Sequence, residues 1–309
     1  MSGGARVAEI VEYTDPLCPW AWGSEPSFRR LRAQVDGRIG WRRVYSILFD
    51  ADDDPAPDPA AETAWYAGYV EDVAGHTGAP RAARLERVAR SSWPASLAAR
   101  AAEAQGPPVA ERVLRRLRES VFVLGVPADT AQRVLDCVSG VPGLDLARLR
   151  ADASSVAVEA SVRADRAEAR TPLPEVLDLV GPAPHPGRAR ELDDGGHRYA
   201  LPTIVFRGPE VCRVVPGLRP AQAYTEALRE AFPGFVTAVP QSSARAAFDL
   251  HRSLTERELE LLTVEGEPSP EALRVDTAGG PLWLHPEEAA VHPAAAGRRP
   301  DNETPFGVH

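Results

Sequence analysis

The first apolar run of the chain, Val7-Ala8-Glu9-Ile10-Val11-Glu12-Tyr13, is short, rich in β-branched residues and broken only by glutamates, and it predicts a strand. A turn through Thr14-Asp15-Pro16-Leu17 follows, and the chain from Trp22 to about Val35 reads as a helix. Gly37 and Gly40 interrupt before Trp41-Arg42-Arg43-Val44-Tyr45-Ser46-Ile47-Leu48, a second predicted strand. The polar, proline-rich stretch 50–59 predicts a loop. From about 60 to 179 the period becomes helical: Val113, Leu114, Leu117, Val121 and Leu124 recur at helical spacing. Asp129 is expected to cap a helix over 130–139, another begins at Leu144, and 154–169 reads as a helix charged on one side. Prolines break the pattern over 171–186. Strand character returns over 199–206, a tight turn follows at Arg207-Gly208-Pro209-Glu210, and 211–215 is the return strand of a hairpin. A helix over 221–231 closes this part.

The remainder is shorter and weaker in pattern. Helices are expected over 244–250 and from Ser253 through a capping-type entry, then a hairpin over 272–285 around Gly279-Gly280. From 286 to 309, alanine, proline and polar residues predict a flexible tail.

Composition adds bounds. The chain has 309 residues, 44% hydrophobic and 26% charged, as in a globular protein with a sizeable core. The formal charge of −9 argues against general affinity for nucleic acid or anionic membranes. There is no secretory signal pattern at the amino terminus and no apolar run long enough to span a bilayer, so a cytoplasmic location is expected. Cys18, Cys137 and Cys212 give neither a disulfide framework nor a metal-ligand spacing, and the histidines, His76, His185 and His197 among them, are isolated. No metal site is expected.

Cys18-Pro19-Trp20-Ala21 carries the candidate chemistry. A cysteine where a strand hands over to a helix sits at the positive end of the helix dipole, which favours its thiolate. In a Cys-x-x-Cys motif a second cysteine would resolve a mixed disulfide formed by the first; that place is Ala21. The expectation is one activated thiol that cannot close a disulfide within its own motif. Cys212, expected roughly opposite Val205, and Cys137, in the helical block, are weaker candidates for a distant resolving partner.

The order strand, helix, strand, helical block, hairpin, helix is the skeleton of an α/β thioredoxin-like fold with an inserted α-helical domain and a small carboxy-terminal α+β extension. Asp15-Pro16-Leu17-Cys18-Pro19-Trp20 resembles the active-site entry of DsbA-like thioredoxin folds, and Leu201-Pro202-Thr203-Ile204-Val205-Phe206 resembles the strand that carries their cis proline. Ser91-Ser92-Trp93-Pro94-Ala95-Ser96, 98–106 and 115–119 resemble the cytoplasmic FrnE-like branch, in which a helical domain interrupts the fold. The resemblance assigns 1–50 and 180–236 to the thioredoxin-like domain, 51–179 to the insertion and 237–285 to the extension. It implies a catalytic Cys18 and a substrate site of Pro19, Trp20, Ala21, Ser92, Trp93, Leu201 and Pro202, with the Leu201 backbone available to an extended peptide or thiol substrate.

Two classes of function follow. One is a thiol oxidoreductase, or a thiol-dependent transferase or isomerase, using Cys18. It would have no tightly bound cofactor and a low-molecular-weight thiol such as mycothiol or glutathione as second reactant. Kappa-class transferases and hydroxychromene-carboxylate isomerases resemble this use of the scaffold. The other is a redox-inactive adaptor that binds a protein partner, as some cytoplasmic relatives do. Pairing of Cys18 with a cysteine outside the motif is a third reading.

Overall fold

A computed structural model describes residues 8–50, 56–235 and 241–296. Strand β1 (Glu9–Thr14) leads through the cysteine turn into helix α1 (Pro19–Val35), and β2 (Gly40–Tyr45) returns parallel to β1. Six helices follow: α2 (Pro59–Thr77), α3 (Trp93–Glu103), α4 (Pro107–Phe122), α5 (Ala131–Val138), α6 (Leu146–Ala153) and α7 (Val156–Ala169). A short antiparallel pair, β3 (Arg190–Glu191) and β4 (His197–Arg198), precedes β5 (Thr203–Arg207) and β6 (Cys212–Pro216). The main sheet has the order β2-β1-β5-β6, with β5 antiparallel to both its neighbours. Helix α8 (Ala221–Ala231) packs on β5 and β6.

Alternation along the central strands fills both faces of this sheet. Ile10 and its partner Phe206 join Phe28 and Leu31 of α1 and Leu228 of α8 in one buried cluster. Val11 and its partner Val205 face the other way, with Val44, Tyr199 and Cys18. The helical insertion packs Val113, Leu114, Leu117 and Val121 of α4 against the alanines of α3, in a core that also takes in Leu17 and Trp22 near the cysteine turn and Leu282 and Leu284 of the extension. This is the α/β thioredoxin-like architecture expected from the order of elements.

Several details differ from the sequence reading. Thr130, not Asp129, caps α5, because the Asp129 carboxylate is taken by the Arg87 guanidinium and the Arg90 N–H. Of the expected strand over 199–206 only the part from Thr203 is strand, β5; residues 199–202 are irregular and lead into it from β4. Cys212 pairs with Arg207 rather than lying opposite Val205. The extension contains α9 (Ala244–His251), β7 (Ser253–Thr255), α10 (Glu256–Leu262), β8 (Leu273–Val275) and β9 (Leu282–Leu284). Its sheet has three strands rather than the two of a hairpin, since β7 pairs with β9 ahead of the Thr255–Glu258 capping box.

The expected flexible tail is also corrected over 286–296. Helix α11 (Pro286–Ala289) buries Glu288 against the Arg116 guanidinium, and the buried His292 donates through Nε2 to Glu119 at 3.0 Å while its Nδ1 accepts the Ala294 N–H. Residues 297–309 lie outside the described residues. Arg115 of α4 forks onto Glu258 of α10 with two 3.0 Å hydrogen bonds, and Ser253 donates to Glu119 at 2.5 Å. The extension is therefore ion-paired into the interior and not appended to the surface.

Candidate functional site

Cys18 is the N-cap residue of α1, and Pro19 opens the helix where its missing N–H is no loss. The turn is held by Asp15, whose buried carboxylate accepts from Leu17 N–H (2.8 Å), Leu48 N–H (2.7 Å) and the Ser92 hydroxyl (3.0 Å). Burial pushes the Asp15 carboxyl up, and these three donors act against that. The Leu201–Pro202 peptide bond is cis, and the Cys18 thiol lies 3.7 Å from the Leu201 carbonyl oxygen, to which it donates.

Only 3% of Cys18 is exposed. Burial pushes the thiol up to about 11; the Asp15 carboxylate adds to this, while the N–H groups of Ala21 and Trp20 and the Arg198 guanidinium pull the other way. An activated thiolate at rest is thus corrected. A helix terminus contributes roughly 0.3–1 kcal/mol, under one pKa unit, whereas burial can move a group by ~3–5 units, and burial wins. At neutral pH the thiolate fraction is ~0.01%.

Beside the thiol lies a cavity of about 480 Å³, lined by Cys18, Pro19, Trp20, Leu48, Phe49, Glu62, Trp65, Tyr66, Tyr69, Val88, His185, Arg190, Arg198, Ala200 and Leu201. That is the size of a small-molecule site. Trp20 spans its floor: its indole donates to Tyr69 Oη at 2.6 Å and stacks on His185, ring centroids 4.9 Å apart. His185 Nε2 donates to the Leu201 carbonyl at 2.8 Å, and burial pulls its imidazole down to about 4, so the ring is neutral. His185 arrives on a segment pressed against the end of β6. A Cβ on Gly187 would lie 2.4 Å from the Pro216 carbonyl carbon, and one on Gly217 would lie 2.2 Å from the His185 oxygen.

Of the residues implied by the resemblance, Cys18, Pro19, Trp20 and Leu201 line this cavity. Ala21 and Pro202 are buried behind it. Ser92 and Trp93 do not reach it: Ser92 is fully buried on Asp15, and the Trp93 indole donates to Asp50 at 3.0 Å with the Arg163 guanidinium over its ring. Trp22 packs on Phe122 in the insertion core. His185, Arg190, Arg198 and the aromatic wall of α2 were missed; in the sequence they lie far from Cys18 in unremarkable surroundings, and only Trp65-Tyr66 with Tyr69, three aromatics at helical spacing, offered a signal. The Leu201 carbonyl oxygen accepts from both His185 and Cys18.

The other sulfurs are remote. Cys137 is buried in the insertion core and donates to the Arg116 carbonyl at 3.3 Å. Cys212 stands beside Arg207, five residues along β5 from Pro202 and thus about 16 Å away, beyond the ~7 Å Cα limit of a disulfide to the active turn. Among the described residues no cluster of His, Cys, Asp and Glu could hold a metal ion, and no helix is long and apolar enough to cross a membrane.

Residues 12–171 match the family described as thioredoxin, a span that holds the cysteine turn and the helical insertion. The ClpXP adapter protein SpxH of Shouchella clausii is 28% identical over 160 residues, covering 51% of each chain. That of Bacillus subtilis is 27% identical over 161 residues, covering 51% of this chain and 52% of its own. The chain thus spans about half the length of the curated relatives it matches. A crystal structure described as a "putative protein disulfide isomerase from Nitrosomonas europaea" superposes with a TM-score of 0.55 at 14% identity, over 72% of this chain and 96% of that one, a likeness of fold.

Proposed function

The chain belongs to the thioredoxin family, and we propose that it acts as a cytoplasmic single-thiol exchange protein of the DsbA-like, FrnE-like type. Cys18 would attack a disulfide R–S–S–R′, forming the Cys18–S–S–R mixed disulfide as the old S–S bond breaks; the Cys18 proton ends on the departing R′ thiolate. A low-molecular-weight thiol then attacks the mixed disulfide, is oxidised onto R, and returns Cys18 as a thiol. The observation that carries this reading is one sulfur at the wall of a small-molecule-sized cavity, with Ala21 where a resolving cysteine would stand. Both steps need an external thiol or disulfide, and neither needs a metal.

The test is intact-mass spectrometry after incubation with glutathione disulfide, with mycothiol disulfide and with cell extract. The expected outcome is one reversible adduct mapped to Cys18 and absent from Cys18→Ser. Modification of Cys212 with none at Cys18 would refute exchange.

A second reading is favoured by one observation, the thiol held protonated by burial. The same scaffold would then serve as an adaptor for a protein partner, as the printed names of the relatives suggest of those proteins. Partner capture unchanged in Cys18→Ser, with no Cys18 adduct, is the result that selects it.

A further inference from the structure

Tyr66 of α2 lines the Cys18 cavity and is only 7% exposed, yet its buried hydroxyl meets no hydrogen-bonding partner among the described residues. Buried polar groups are nearly always paired, and an unpaired one lowers stability, so an orphan beside a reactive sulfur calls for an explanation. The ring is fixed by Phe49, edge-on with centroids 5.9 Å apart, and by Tyr69 at 6.0 Å. It shares a buried cluster with Leu17, the residue before Cys18. The neighbouring Tyr69 differs, because its hydroxyl oxygen already accepts the Trp20 indole N–H.

The sulfur has the matching deficit. As a thiol, Cys18 donates to the Leu201 carbonyl oxygen, which also accepts from His185. Once the proton leaves, sulfur and carbonyl oxygen are both negative and repel each other, and the sulfur needs donors. The N–H groups of Ala21 and Trp20 and the Arg198 guanidinium favour the ionised sulfur, while burial and Asp15 oppose it. Other titratable groups around the cavity include Glu62, Tyr69, His185 and Arg190. Burial, then the charges of Cys18, Tyr69 and Asp15, push the Tyr66 phenol well above the ordinary tyrosine value, so it keeps its proton and remains a donor.

We propose that Tyr66 is a catalytic residue whose hydroxyl donates to the Cys18 sulfur when that sulfur is ionised. This rests on the reading of Cys18 as the reacting sulfur and deepens it, since Tyr66 stabilises the nucleophile that burial disfavours. Tyr66 transfers no proton: the Cys18 proton still ends on the departing thiolate, and the thiol–carbonyl hydrogen bond gives way to a hydroxyl–sulfur one. A hydrogen bond to an ionised acceptor is about twice as strong as a neutral one, so the gain falls on the thiolate and not on the resting thiol.

The test follows iodoacetamide alkylation of Cys18, resolved by peptide mass spectrometry, in the full chain and in Tyr66→Phe from about pH 7 to 10, with urea unfolding of both. Tyr66→Phe is expected to alkylate about tenfold more slowly at each pH, its profile displaced about one unit toward alkali. Its urea midpoint should be unchanged or higher, because the variant loses a hydroxyl that has no partner in the resting protein. Phenylalanine is the smaller side chain, so a change of access alone would speed alkylation. An unchanged or faster rate overturns the donor role; so does a lower urea midpoint, which would show the hydroxyl bonded at rest. Slowed alkylation of Tyr66→Phe in a protein that takes up no glutathione at Cys18 refutes exchange and upholds the donor, whereas a glutathione adduct with alkylation indifferent to Tyr66→Phe does the reverse.

Discussion

At the scale of residues, Cys18 is governed by what surrounds it more than by the helix it begins. Its thiol is pushed up to about 11 by burial and by Asp15, so alkylation should rise close to tenfold per pH unit from pH 7 to about 10, with no plateau near neutrality. Iodoacetamide rates in a Cys212→Ser background measure this; a plateau below pH 8 would contradict it. Asp15→Asn removes a negative charge and should lower the thiol pKa, although the Leu48 N–H then loses an acceptor. His185 gives a prediction of opposite sense. Its folded pKa of about 4 lies below the unfolded value near 6.5, so the unfolded chain binds the extra proton between these limits. Stability is therefore whole above pH 6.5 and falls as pH drops toward 4, by roughly 3 kcal/mol. Urea unfolding at pH 7 and pH 4.5 should show this loss reduced in His185→Gln, which keeps an N–H for Leu201; an unchanged loss would remove His185 as its source.

At the scale of elements, the carboxy-terminal extension is a clamp on α4. Glu258 of α10 binds Arg115 and lies 3.0 Å from Arg29, all three buried. Removing one partner of such a group leaves uncompensated charge, so Glu258→Gln should cost about 3–5 kcal/mol, seen as a lower urea midpoint at unchanged slope. A loss under about 1 kcal/mol would mean the extension is only loosely docked. This clamp was not legible in the sequence. Nothing local to Arg115, Arg116 and Glu119 says that partners more than 130 residues away will bury them. The strands around Val11 and Val205 and the capping box at Thr255 were legible, because alternation and caps are set by neighbouring residues. Residues 286–296 were misread for the same reason: an alanine- and proline-rich segment carries no local mark of the Glu288 and His292 contacts that bury it.

At the scale of the whole molecule, the cavity is assembled from the cysteine turn, α2 of the insertion, and the β3–β4 and β5 segments, and no one of them encloses it. The cysteine turn and the Leu201-Pro202 strand could be found because each is a compact motif. Arg190, Arg198 and His185 could not, since they matter only once the chain brings residues about 170 positions apart into one wall. In the proposed exchange one sulfur suffices, with no second cysteine. Its most direct measurement is the rate at which the protein accelerates glutathione-dependent reduction of an aryl disulfide, compared among wild type, Cys18→Ser and the Cys137→Ser/Cys212→Ser double variant. Full activity is expected in the double variant and none above background in Cys18→Ser; activity that survives loss of Cys18, or disappears with Cys137 and Cys212, would contradict single-thiol exchange.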